Sequence, residues 1–245
     1  MSRIIYMAVS LAIYFFFFAT FLYLIGFVGS VPLLPRTVDN GPLIATLPAI
    51  VIDIALIAAF GVQHSVMARQ GFKRAWTMIV PEPLERSIYV LAASLMLILM
   101  FAFWHPIPAI VWAVDAPAGQ YALWGLSAAG WGLVLLSTFL INHFELFGLS
   151  QAVLHLMRRQ PAPPKFRVPF LYRLVRHPLY SGFFLALWAT PVMTAGHLLL
   201  AAGLSVYVLI AIRYEERDLV ATFGSEYQDY RTKVGMLAPG IGRAR

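Results

Sequence analysis

The stretch IIYMAVSLAIYFFFFATFLYLIGFV, Ile4–Val28, carries no charged side chain in 25 positions. A helix crossing the hydrocarbon core of a bilayer needs about 20 apolar residues, within a range of about 17–25, so this run predicts a membrane span. It exceeds the apolar region of a signal peptide and lacks a clear small-residue cleavage site, which marks it as a retained helix. Further along, Leu43–Val66 is interrupted only by Asp53, and Ser87–Trp104 and Tyr121–Ile141 are free of charge. Two shorter apolar runs, Leu179–Val192 and Leu198–Ile212, are separated by a turn near Thr194–Gly196. They read either as tilted spans or as a hairpin that dips in without crossing fully. The expected fold class is all-α: a polytopic membrane helix bundle of four spans plus a C-terminal helical hairpin, five to six transmembrane helices in all. Leu219, Phe223, Tyr227 and Tyr230 recur at helical spacing and predict an amphipathic helix on the membrane surface.

Composition supports the same reading. The 245 residues are 60% hydrophobic and 12% charged, against about 25% charge in a soluble globular chain. The absence of cysteine excludes disulfides, thiolate metal sites and a cysteine nucleophile. A formal charge of +7 raises nucleic-acid binding as a possibility, but the placement of the charges answers it. With the N-terminus inside, Arg36 is the one basic residue of 18 on the outer side. Cytoplasmic loops hold the excess of Lys and Arg, so both termini are expected in the cytoplasm, in a multi-pass protein of a bacterial-type inner membrane. The basic charge then signals orientation and contact with anionic membrane lipids, and no nucleic-acid partner is expected. A proline-rich connector, Arg158–Val168 with Pro161, Pro163 and Pro164, divides residues 1–157, expected to form the substrate side, from residues 158–245.

Polar groups gather on the inner side. His64, His143, His155 and His177 fall there under this topology, as do Glu215 and Glu216 at the close of the last apolar run. Hydrocarbon penalises such groups, so they are candidates for function, although helix ends are also where polar residues become tolerable. In Arg176-His177-Pro178-Leu179-Tyr180-Ser181-Gly182, proline suits a first helical turn and pushes the residue before it out of helical geometry. His177 is therefore expected at an N-cap, where backbone N–H groups and the helix dipole favour an anion. Gly182 admits a second backbone or a ligand at close range. Neighbouring residues on a helix diverge in direction, so one of Glu215 and Glu216 is expected to turn inward toward a cation. Asp53 lies mid-span and is expected to face the bundle in a packing role.

The pairing of residues 176–182 with Glu215-Glu216-Arg217-Asp218-Leu219 and Phe223-Gly224-Ser225-Glu226-Tyr227 resembles the membrane methyltransferases that include isoprenylcysteine carboxyl methyltransferases and phospholipid N-methyltransferases. The resemblance implies an S-adenosylmethionine pocket lined by His177, Pro178, Tyr180 and Gly182, with Glu215 or Glu216 holding the ammonium group of the cofactor. Residues 22–29, Gln63-His64-Ser65-Val66-Met67-Ala68-Arg69 and Asn142-His143-Phe144-Glu145-Leu146-Phe147-Gly148 look like the bacterial methanethiol S-methyltransferases, which implies a small thiol as acceptor and dimethyl sulfide as product.

A thiol reacts as its thiolate, so a site of this kind needs a proton acceptor or a cation. His64 and His143 are the candidate proton acceptors, and Arg176 is a candidate to stabilise an anion. No metal ligand set is expected. Two rival readings remain: methylation of a prenylcysteine-type carboxylate or phospholipid amine, and a haem or metal protein using His64, His143 and His177. The second leaves the glutamate pair unexplained, and no two of its histidines share a helix at ligand spacing.

Overall fold

The computed structural model describes residues 2–163 and 165–243. Pro164 of the connector and Arg245 of the basic tail lie outside the described residues. Among those described, five helices are long and apolar enough to cross a membrane: α1 (Ser2–Val28), α2 (Thr46–Ala68), α4 (Glu82–Phe103), α5 (Pro117–Ile141) and α9 (Ala195–Phe223). The chain is thus an all-α, multi-pass membrane protein. Between them lie α3 (Gln70–Trp76), α6 (His143–Leu146), α7 (Leu149–Leu156), a 3-10 turn at Phe170–Arg173, α8 (Pro178–Trp188) and α10 (Ser225–Lys233). Two short strands, β1 (Ile110–Ala113) and β2 (Val192–Thr194), complete the order.

The C-terminal hairpin has unequal arms. The 11 residues of α8 rise only about 17 Å, roughly half of a hydrocarbon core about 30 Å thick. Pro191 follows just after the end of α8 and prevents its continuation, so the first arm is not a full span. By contrast, the 29 residues of α9 rise about 44 Å and run on past the two glutamates that close the apolar run.

The expected amphipathic stripe is split. Gly224 takes φ +58°, a conformation that costs glycine little and other residues more, and the helix breaks there. Leu219 and Phe223 complete α9, whereas Tyr227 and Tyr230 belong to α10. Both tyrosines are buried, with their rings packed on Phe166.

The chain divides into two compact units. The first comprises Met1–Val111, His143–Ala162 and Met193–Gly203. Here Gly148, at φ +89°, passes so close to Ser87 that a Cβ would lie 2.7 Å from the Ser87 backbone nitrogen. Ser87 in turn donates a hydrogen bond to Ser10 at 2.9 Å. Asp53 is fully buried, and its Oδ1 accepts the backbone N–H of His105 at 3.0 Å. That bond satisfies a donor just beyond the end of α4, a packing role for the mid-span acid.

The second unit comprises Trp112–Asn142, Pro163–Val192 and Leu204–Arg245. Its framework is the crossing of α5 and α8, where two glycines remove the side chains that would separate the backbones. A Cβ on Gly130 would sit 2.6 Å from the Ala186 nitrogen, and one on Gly182 would sit 2.7 Å from the Gly130 oxygen. Ser127 Oγ donates to Ala186 O across the same contact.

Candidate active site

In the second unit, Pro178 occupies the first position of α8 and His177 its N-cap, with φ −128° and ψ 64°. His177 does not cap the helix with its side chain, because its ring is engaged by the glutamates of α9. Nε2 lies 3.1 Å from Glu216 Oε1, and Nδ1 lies 3.8 Å from Glu215 Oε1.

The two glutamates diverge and take different surroundings. Glu216 is buried; its Oε1 accepts from Arg176 Nε at 2.7 Å, and its Oε2 is 3.0 Å from Arg231 Nε. Glu215 keeps 44% of its side chain exposed and accepts the Tyr180 hydroxyl on Oε2 at 2.8 Å. The inward carboxylate thus meets its cation within the protein, and the outward one retains room for another.

Arg176, expected as an anion stabiliser, directs four of its five N–H groups at protein acceptors. Besides Glu216 these are the backbone oxygens of Arg231, Val234 and Gly242. Two of those carbonyls end α10, where a cation offsets the negative end of the helix dipole. The C-terminal segment also threads beneath the motif: Arg176 N–H donates to Gly235 O, His177 N–H to Met236 O, and Ser181 Oγ to Leu237 O. Gly182 approaches a second backbone, that of α5, as described above.

Besides Tyr180, two buried tyrosines of α10 lie near the carboxylates. Burial pushes Tyr230 up to about 12, and its hydroxyl donates to Tyr172 O. Burial, reinforced by the Glu216 and Glu215 charges, holds Tyr227 above the usual phenol range. Its hydroxyl is buried with no hydrogen-bond partner among the described residues. An unmade buried bond of this kind costs about 1–3 kcal/mol, so the position suits a further polar partner.

The two remaining sequence candidates lie in the first unit. His64 stacks on Phe60 with centroids 5.3 Å apart and lies 5.0 Å from Tyr89. His143 opens α6, is 4% exposed, and has Nε2 2.8 Å from the Tyr14 hydroxyl. Phe147 lies 4.9 Å from it, edge to face. Tyr89 and Phe147 belong to one apolar cluster built on Ile13, Tyr89 and Val90, so both histidines border the same core. Desolvation lowers the His143 pKa below its ordinary 6.5, which keeps the ring neutral at pH 7.

The sequence has close curated relatives. It is 52% identical over 229 residues, 94% of this chain and 80% of the relative, to Methanethiol S-methyltransferase 1 of Bradyrhizobium diazoefficiens. It is 51% identical to Methanethiol S-methyltransferase of Mycobacterium tuberculosis over 98% of both chains. The Crocosphaera subtropica protein of the same name is 46% identical over 99% of this chain and 95% of its own. The chain belongs to the methanethiol S-methyltransferase family. No family model matches it, and no solved structure does.

The structure adds residues that sequence reasoning did not assign to the site. Arg231 completes the shell around Glu216, Tyr14 engages His143, and residues 234–242 brace Arg176 and His177. The signal for the brace was present in the turn-forming Gly235, Pro239, Gly240 and Gly242. Nothing in local spacing singles out Arg231 or Tyr14, which are 15 and 129 positions from their partners.

Proposed function

We infer that the protein is an S-adenosylmethionine-dependent S-methyltransferase that converts methanethiol to dimethyl sulfide in a bacterial inner membrane, with both termini in the cytoplasm. The observation that carries the acceptor is the 51% identity, over 98% of both chains, to a protein named for that reaction. Residues from 158 onward supply the cofactor region. The donor set fits S-adenosylmethionine: a half-exposed carboxylate for an ammonium group, an aromatic hydroxyl fixing that carboxylate, and a helix N-terminus beside them.

S-adenosylmethionine supplies a methyl group on a positively charged sulfur. Glu215 holds the ammonium group, and Tyr180 fixes the rotamer of Glu215 through its 2.8 Å hydrogen bond. Glu216, with Arg176 and His177, keeps the N-terminus of α8 in place. Positioning of this kind contributes about 7–11 kcal/mol to barrier lowering in well-oriented reactions. His143 is the proposed proton acceptor for the thiol, with His64 as the alternative. The small thiol reaches the protein through the lipid, and the polar cofactor comes from the cytoplasm.

The test is a headspace assay with the full chain in nanodiscs, S-adenosylmethionine and three acceptors: methanethiol, a prenylcysteine and a phospholipid amine. Dimethyl sulfide forms, and the lipid acceptors are not methylated. Methyl transfer to a lipid acceptor in place of the thiol overturns the assignment.

A further inference from the structure

We propose that one face of α9, together with Arg231 of α10, binds the headgroup of a single anionic phospholipid. Arg213, Glu216, Arg217, Val220 and Arg231 line a cavity of ≈ 390 Å³ in the second unit. Arg213 and Arg217 are exposed and stand one helical turn apart, four positions along α9. Like charges at that spacing repel, and neither has an acidic partner among the described residues. Glu216 contributes one negative charge, but Arg176 already matches it on Oε1. The cavity is therefore positive on balance and larger than a lone phosphate requires.

The side of the helix decides what the cavity takes. At 100° per residue, Glu215 points roughly 160° away from both Arg213 and Arg217. The cavity thus lies on the other side of α9 from the Glu215–Tyr180 pair and is separate from the proposed cofactor site. Going back along α9, Val206, Leu209 and Ile210 fall on the same face as the two arginines, and all three are exposed. An apolar stripe that ends in two unpaired guanidiniums, with a third on the neighbouring helix, matches an acyl chain joined to an anionic head. A free anion makes no use of the stripe.

Native mass spectrometry of the full-length protein tests this with phosphatidylglycerol and phosphatidylcholine of matched chains. The wild type retains phosphatidylglycerol in preference to phosphatidylcholine. Arg213→Gln/Arg217→Gln binds it about twenty-five-fold more weakly, from about a fivefold loss per arginine, and Arg213→Lys/Arg217→Lys keeps most of the affinity. Circular dichroism checks that both variants fold, and if the glutamine pair does not, the preference of the wild type between the two lipids decides. Equal retention of the two lipids, or equal affinity in wild type and a folded glutamine pair, overturns the proposal. So does displacement of phosphatidylglycerol by inorganic phosphate at equal concentration, which identifies a site for a free anion.

Discussion

Arg176 Nε and Glu216 Oε1 lie 2.7 Å apart, with the two side chains 2% and 9% exposed. They join the residue just before the α8 N-cap to the inward side of α9, and through the carbonyls of Arg231 and Val234 they also hold the end of α10. Removing one partner of such a pair leaves an uncompensated buried charge, at a cost of about 3–5 kcal/mol. Glu216→Gln and Arg176→Gln should therefore lower the thermal midpoint in detergent sharply. Glu215→Gln, at a half-exposed position, should shift stability by about 1 kcal/mol or less.

Tyr180→Phe removes the hydroxyl that donates to Glu215 Oε2. A bond to a charged acceptor contributes about 1.5–3 kcal/mol, so S-adenosylmethionine affinity should fall about tenfold or more, with a loss of thermal stability no larger than that of Glu215→Gln. Equilibrium titration beside differential scanning fluorimetry separates the two effects.

Gly130→Ala and Gly182→Ala each place a methyl group against backbone at the α5–α8 crossing, 2.6 and 2.7 Å from the nearest atom. Overpacking of this kind costs about 1–3 kcal/mol. Both variants should lose stability, and Gly182→Ala should also weaken cofactor binding because α8 carries Tyr180. Gly132→Ala is the control, since a Cβ there meets nothing within 4 Å.

His143 makes a pH-dependent contribution of known sign. Its folded pKa lies below the ordinary 6.5 because burial disfavours the imidazolium, so the unfolded chain binds the proton more readily. Its contribution to stability is fully present above about pH 6.5 and is lost as the pH falls through the lower folded value. His143→Gln should flatten that part of the stability curve. Chemical denaturation between pH 5 and about 7.5 reads the difference.

Much of the fold was legible because hydrocarbon imposes a length on apolar runs. The spans around Ile13, Asp53, Ser94 and Val134 all follow from that constraint. The hairpin was less legible, since Leu179–Val192 has the composition of a span and only Pro191 ends the helix early. Likewise, the break at Gly224 leaves the spacing of Leu219, Phe223, Tyr227 and Tyr230 intact and so does not show in periodicity. At the site, His177-Pro178 and the divergence of Glu215 from Glu216 follow from local helix geometry. Which glutamate turns inward does not, because Arg231 and residues 234–242 decide it through contacts distant in sequence.

The most direct test of the central claim, that Glu215 and Tyr180 at the start of α8 hold the methyl donor, is calorimetric titration of S-adenosylmethionine into wild type, Glu215→Gln and Tyr180→Phe, all confirmed as folded. The account predicts binding by the wild type and affinities about tenfold or more weaker in both variants. Undiminished affinity in both folded variants would contradict it.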